Sequence, residues 1–140
     1  MAKQLGRAMV VKIGDAADPE VFSNLCGLNA KTISINTASI DATTPDCTSP
    51  EGILWRETLA GTKSIDVSGD GIFEDSAAEL RLNTVAMAAD NSVNLEIVVP
   101  DFGTYAGAFR ANYEISGSTE ESVTFTGSFE STGAVTFTAA

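Results

Sequence analysis

The chain has 140 residues, one domain's length, and 44% of them are apolar, enough to fill a core. Acidic residues outnumber basic ones 19 to 8, for a formal net charge of -11; this excludes a protein that grips the nucleic-acid backbone, which needs Lys and Arg to displace counterions. His is absent, which removes the commonest general acid–base group and the usual nucleophile–His triads.

Charged residues make up only 19% of the chain, and the other polar positions are largely Ser and Thr, which fit a pleated surface. Met1 to Gly6 is polar and the apolar run after it, Ala8 to Val11, is short, so no secretory signal is expected. Cytosolic synthesis then makes free thiols the default for Cys26 and Cys47. No stretch reaches the ~18 apolar residues of a membrane-spanning helix.

In chain order, Met9 to Ile13 alternates, with Met9, Val11 and Ile13 on one side and Lys12 on the other, and reads as a first strand. Gly14 to Pro19 is a turn by its Gly, Asp and Pro content. Val21 to Leu25 pairs back as a short second strand, ended by Gly27. Thr32 to Ile40 is a third strand with a defect: Ile33 and Ile35 share a face but Ile40 has the opposite parity, which a bulge or change of sheet near Ala38 reconciles. Asp41 to Gly52, with Pro45 and Pro50, cannot carry a sheet ladder. Counted on to Gly61, the connection is a long loop at 41–61, of a length that is usually functional or mobile. It carries apolar Ile53, Leu54, Trp55 and Leu59, which want a partner.

Ser64 to Phe73 alternates, with Ile65, Val67 and Phe73 on one face and Ser64, Asp66, Ser68 and Asp70 on the other; Gly69 and Gly71 fall on the apolar face. Ser76-Ala77-Ala78-Glu79 has capping-box spacing, and acids at 74, 75 and 79 suit the positive end of a helix. A helix is expected over about 75–89, with Leu80, Thr84 and Met87 on one stripe and Leu82, Val85, Ala86 and Ala89 on another. The remainder is strand and turn: 93–99, 108–116, 123–130 and 135–139, separated by Pro100-Asp101-Phe102-Gly103, Gly117 to Glu120 and Thr132-Gly133. About seven strands and one helix make a mainly β fold, with two packed antiparallel sheets as a sandwich or partly open barrel, the helix on its flank, and one domain over 1–140.

Asp66-x-Ser68-x-Asp70-Gly71 resembles the first half of a calcium loop, but the twelfth position is Ala77 where a bidentate Glu belongs, and the register is that of a strand. The alternative is a solvated strand face with the three side chains in a row. No nucleophile-elbow or phosphate-loop motif is present, and Cys26 and Cys47 have neither a His partner nor metal-ligand spacing. No catalytic residue, metal ligand or cofactor is expected. Trp55, with Arg56 and Glu57, is either a core residue beside a salt bridge or an interface anchor.

Nearly the whole chain, taken in order, resembles the major tail protein of long-tailed, non-contractile phages and its relative in bacterial gene transfer agents. The resemblance lies in Val10-Val11-Lys12-Ile13-Gly14, the strand Lys31 to Asn36, Ile40 to Thr44, and Trp55-Arg56-Glu57 with Leu59-Ala60-Gly61. It continues through Ile65 to Ser76, Val98 to Gly103, Gly107-Ala108-Phe109 and Ser131 to Phe137. It implies two packed β-sheets with a flanking helix, hexameric rings stacked into a hollow tube through which DNA passes, and neither catalysis nor a cofactor. It also implies that the segment Asp41 to Gly61 reaches toward neighbouring subunits. The expected setting is the tail of a virion or virus-like particle, made in the host cytoplasm, with a tape-measure protein and other tail proteins as partners and no membrane.

Two expectations follow for particular residues. Ile53, Leu54, Trp55, Arg56, Glu57 and Leu59 contact neighbouring subunits. Asp66, Asp70, Glu96, Glu114 and Glu130, on the polar faces of the alternating stretches 64–73, 93–99, 108–116 and 123–130, are candidates to face a lumen, whose negative wall repels phosphate and passes DNA without tight binding; the alternative is plain solvent surface. The competing classes are a toxin-loaded secretion tube of similar architecture and a monomeric adhesin-like or decorating β-domain.

Overall fold

The computed structural model describes residues 3–17 and 19–140. The elements are a single 3-10 turn at Gly6–Ala8, then β1 (Val10–Gly14), β2 (Phe22–Asn24), β3 (Leu28–Asp41), β4 (Thr58–Ile72), α1 (Ala77–Met87), β5 (Ser92–Val99), β6 (Gly103–Ser116), β7 (Thr124–Ser131) and β8 (Thr136–Ala139). Asp18, within the turn expected over Gly14 to Pro19, lies outside the described residues. Its flanks show why the chain turns there: the Asp15 carboxylate accepts from the amides of Ala17 and Val21, each at 3.0 Å. The Ala17 amide, then that of Val21, holds the Asp15 carboxyl below its ordinary range.

All pairings are antiparallel and the sheet runs β2-β1-β5-β6-β7-β4-β3, with β8 added to β6. The expected mainly β architecture is present in its partly open barrel form, a sheet curled into a half-barrel. One bond shows the curl directly. Lys31 on β3, at the far end of the strand order from β1, donates its Nζ to the carbonyl of Met9, immediately before β1. The turn Thr132-Gly133, with Gly133 at φ +106°, does not fold β8 back on β7. It redirects the chain to the first half of β6, where Tyr105 pairs with Phe137 and their rings lie 4.8 Å apart.

The core follows from alternation. Directly opposed residues share a face, so the register Ile33–Val67–Phe129–Ala111 sets one apolar row across four strands. Val11–Ile97 and Ile13–Leu95 continue the same inner surface. Phe109, Phe125 and Phe129 are fully enclosed there, with Leu82 and Val85 of α1 laid over them. Gly71 sits on this inner face because the backbone of Gly27 crosses it: the Ile72 amide donates to the Gly27 carbonyl at 3.0 Å, and a Cβ on Gly71 would collide with that carbonyl.

α1 begins where the capping spacing places it. The Ser76 hydroxyl accepts from the Glu79 amide at 3.4 Å. Glu79 reaches past the cap residue, however, and accepts from the Glu74 amide at 2.8 Å, because the Ser76 amide is already donated to the Glu74 carbonyl. Of the two apolar stripes, Leu82 and Val85 are buried, while Leu80 and Met87 face outward.

The long loop is shorter than expected. β4 starts at Thr58, so only residues 42–57 are unpaired with β3. Thr58 to Lys63 show no alternation, yet they pair with β3 from Asp41 back to Thr37. The irregularity expected near Ala38 is present, but its extra residue is on the partner strand. Thr37 faces Lys63 and Ser39 faces Ala60, so Gly61 and Thr62 together oppose Ala38. The result matches Ile40 with Leu59 rather than returning Ile40 to the face of Ile33.

Candidate assembly surfaces

The outer face of the sheet is a polar plane built by parity. Across β3, β4, β7 and β6 it reads Ser34–Asp66–Glu130–Arg110 in one row and Thr32–Ser68–Ser128–Asn112 in the next. A third row carries Asp70, Thr126 and Glu114. Across β1 and β5, Lys12 faces Glu96 on the same side, since Ser92 of β5 opposes Arg110. Asp66, Asp70, Glu96, Glu114 and Glu130 therefore share one face, set against Lys12 and Arg110. The arginine is drawn to the rim, where its Nη1 lies 3.2 Å from Asp90. Asp66, Ser68 and Asp70 stand in a regular ladder of β4, not in a loop. Among the described residues, no group of three or more His, Cys, Asp or Glu is placed to hold a metal.

The second surface is an arm. β4 pairs with β7 only from Asp66 onward, and the Ile65 amide, bonded to the Ser131 hydroxyl at 2.9 Å, is the last tie to the body. Beyond it, Asn36–Asp41 and Thr58–Ser64 continue as a two-stranded ribbon, a form that is marginal alone in water. The neck of its loop is clamped. The Thr43 hydroxyl accepts from the Glu57 amide at 2.9 Å and donates to the Glu57 carbonyl at 3.3 Å, and the Ala42 amide donates to the same carbonyl at 2.9 Å. Asp41 and Asp46 each hold a following amide, of Thr43 and of Thr48, at 3.0 Å. Hydrogen bonding from Thr43 lowers the Asp41 carboxyl, and the Thr48 amide foremost lowers that of Asp46.

The arm and loop expose apolar side chains that a lone subunit would hide. Ile53 is 86% and Trp55 80% accessible, and Leu54, Leu59, Ile40 and Ile35 are each more than half exposed. Trp55 is therefore not a core residue, and Arg56 makes no ion pair among the described residues. The Ile40–Leu59 pair was hidden from sequence reasoning because it depends on the bulge in the partner strand.

A third feature lies at the other end of β4. Phe73, Leu80 and Ile115 line a cavity of about 250 Å³, with Glu74 and Asp75 at its edge and Glu79 and Tyr113 contributing to the wall. Glu79 is 3% accessible; its Oε1 and the Tyr113 hydroxyl are buried without a hydrogen-bond partner. Burial foremost raises the Glu79 carboxyl, with the Glu74 charge adding and the Glu74 amide opposing; burial and then Glu79 raise the Tyr113 hydroxyl.

A family model described as phage tail tube protein matches residues 3–137. The chain belongs to the phage tail tube protein family. It is a structural subunit of a virion tail, not an enzyme. Its structure is similar to a chain from the tail of an empty gene transfer agent particle refined with C6 symmetry, at 28% identity and TM-score 0.86, covering 98% of this chain and 100% of that one. It is also similar to a chain from the virion of a native gene transfer agent particle, at 27% identity and TM-score 0.83 with the same coverage of 98% and 100%. The SPP1 tail tube, solved by solid-state NMR with cryo-EM, shares the fold at 13% identity and TM-score 0.65, covering 99% of this chain and 80% of that one. No curated protein matched the tail tube chain by sequence.

Proposed function

We propose that this chain forms one tail-tube domain, that six copies close a ring, and that the rings stack into a hollow conduit with the polar sheet face inward. The observation that carries the reading is the gathering of Asp66, Asp70, Glu96, Glu114 and Glu130 on one face of a curled sheet whose terminal strand β3 is long and unpaired on its outer side. Open strand edges are an aggregation hazard in a monomer, and a ring of copies puts them to use. A carboxylate-lined wall repels phosphate, so DNA passes without being held. The C6 symmetry of the similar gene transfer agent tail supports six copies per ring. A tape-measure protein inside the tube and other tail proteins at its ends are the partners such a conduit requires.

In this reading the loop and arm contact neighbouring subunits through Ile53, Leu54, Trp55, Arg56, Glu57 and Leu59. Glu57 acts through its backbone, which holds the neck. Cryo-electron microscopy of the purified protein tests the proposal. Six-fold hollow tubes with the Asp66–Glu130 face toward the axis are expected; a solid filament, or a lumen lined by Lys and Arg, overturns it.

A further inference from the structure

The arm loop and the cavity beside α1 sit at opposite ends of one strand. Trp55 lies three residues before β4 begins and Phe73 immediately follows its end. At ~3.3 Å per residue, the fifteen residues of β4 span at most about 50 Å between them. With its neck clamped by Thr43 and Glu57, the loop cannot fold back that far, so Trp55 cannot fill the cavity of its own subunit. A knob and a socket at opposite ends make a head-to-tail contact, the type that closes a ring or propagates into a filament rather than pairing two copies as a symmetric dimer.

Their chemistry matches. The knob is a Trp 80% accessible next to Arg56, the only cation in residues 42–57 and one without an ion pair among the described residues. The socket is apolar, through Phe73, Leu80 and Ile115, with the carboxylates of Glu74 and Asp75 at its edge, which also lack an ion pair. Its 250 Å³ falls below the ~300–1,000 Å³ of small-molecule sites and suits one large side chain. Trp and Arg are the residue types that anchor interfaces most often.

We propose that Trp55 of one subunit seats in the Phe73–Leu80–Ile115 socket of a second copy, with Arg56 paired to Glu74 and Asp75 of that copy. The inference rests on the tube reading and names a contact that joins one subunit to the next. The apolar seat supplies adhesion, and the charge pair sets which way round the copies meet.

A charge-swap series tests it, with tube formation of the purified protein followed by sedimentation and electron microscopy. Arg56→Glu is expected to raise the concentration needed for tubes roughly tenfold, and Glu74→Arg with Asp75→Arg to do the same. Mixing the two variants, so that each offers what the other lacks, restores the contact at every junction between unlike copies, and combining all three changes in one chain restores tubes to near the wild-type threshold. The single Trp provides a second readout: its emission shifts to the blue on assembly, and Leu80→Glu, at a site exposed in the subunit, abolishes the shift while circular dichroism stays unchanged. If the wild-type chain makes no tubes, the tube reading falls and takes this contact with it. If wild-type tubes form and the combined variant assembles no better than either parent, or Trp55 stays as accessible to acrylamide in tubes as in subunits, this contact alone is overturned.

Discussion

Asp66 and Glu130 stand directly opposite each other on β4 and β7, two carboxylates on one face. The nearest cation in that row, Arg110, directly across from Glu130, turns instead to Asp90 and Asn91. Asp66 is left with a hydrogen bond from the Asn36 amide at 3.2 Å. Like charges across a strand pair destabilise, so this arrangement costs the subunit stability; in the proposed tube the same pair would form part of a repulsive lumen wall.

Removing one of these charges should therefore stabilise the unassembled subunit. Asp66→Asn keeps the acceptor for Asn36 and relieves the opposition. A gain of about 0.2–1 kcal/mol is expected, the usual size of a cross-strand pair effect. Urea unfolding at low protein concentration checks it: the midpoint rises with an unchanged slope, and the gain shrinks as salt is added.

Glu79 gives a pH dependence of known sign. Its burial raises the folded-state carboxyl above the ordinary value of 4.5, so the folded state binds more protons than the unfolded one between those two values. Its contribution is present below about pH 4.5 and is lost as pH rises through the raised folded value. Asp15, Asp41 and Asp46, lowered below 3.8 by hydrogen bonds, act oppositely, contributing above that value and losing the contribution as pH falls. The comparison with Glu79→Gln isolates the one group. The variant keeps an acceptor for the Glu74 amide and should gain on the wild type as pH rises from 4.5 toward neutrality. Urea midpoints of both proteins measured across that range decide it; parallel curves would refute it.

The clamp at the loop neck predicts a local effect. Thr43→Val removes a hydroxyl that both donates to and accepts from Glu57, at a typical net value of ~0.5–1.5 kcal/mol per hydrogen bond. Because the neck lies outside the body of the sheet, the loss should appear as faster proteolysis within residues 44–56, with the global unfolding midpoint shifted far less. Limited proteolysis with mass spectrometry of the fragments reads it.

Trp55→Ala should leave a folded subunit that assembles poorly. The side chain is almost wholly exposed in the subunit, where surface substitutions usually stay within about ±0.5 kcal/mol. Normal tube length in this variant, measured by electron microscopy against an unchanged thermal midpoint, would remove Trp55 from the interface.

How far the sequence disclosed all this depends on the range of the forces involved. Alternation in β5, β7 and the second half of β6 is local, and those strands stand where it puts them; β6 begins earlier than the expected 108–116, at Gly103, because its first half is held by pairing with β5 and β8. The Ser76 cap is also local and fixes the start of α1. The Ala38 irregularity was visible because Ile33, Ile35 and Ile40 disagree in parity within one strand. What parity cannot show is which strand holds the extra residue; that is a property of the pair, and Gly61-Thr62 took it. Thr58 to Gly61 were read as loop because nothing buries them, and their ladder exists through β3 alone. Among site residues, the polar parity of Asp66 and Asp70 or of Glu114 is local, whereas their meeting on one face needs the cross-strand register. The socket required β6, α1 and the end of β4 to converge, which no spacing in the chain encodes.

The core stops at Ile65, the last buried residue of β4 on the way to the arm. The buried residues of β4 lie on one side of that residue, and the exposed apolar side chains of the arm and loop lie on the other. Folding and polymerisation are consequently separable traits in this chain. In the proposed tube, sequence drift in the arm would retune how readily copies join without loosening the core of any one of them.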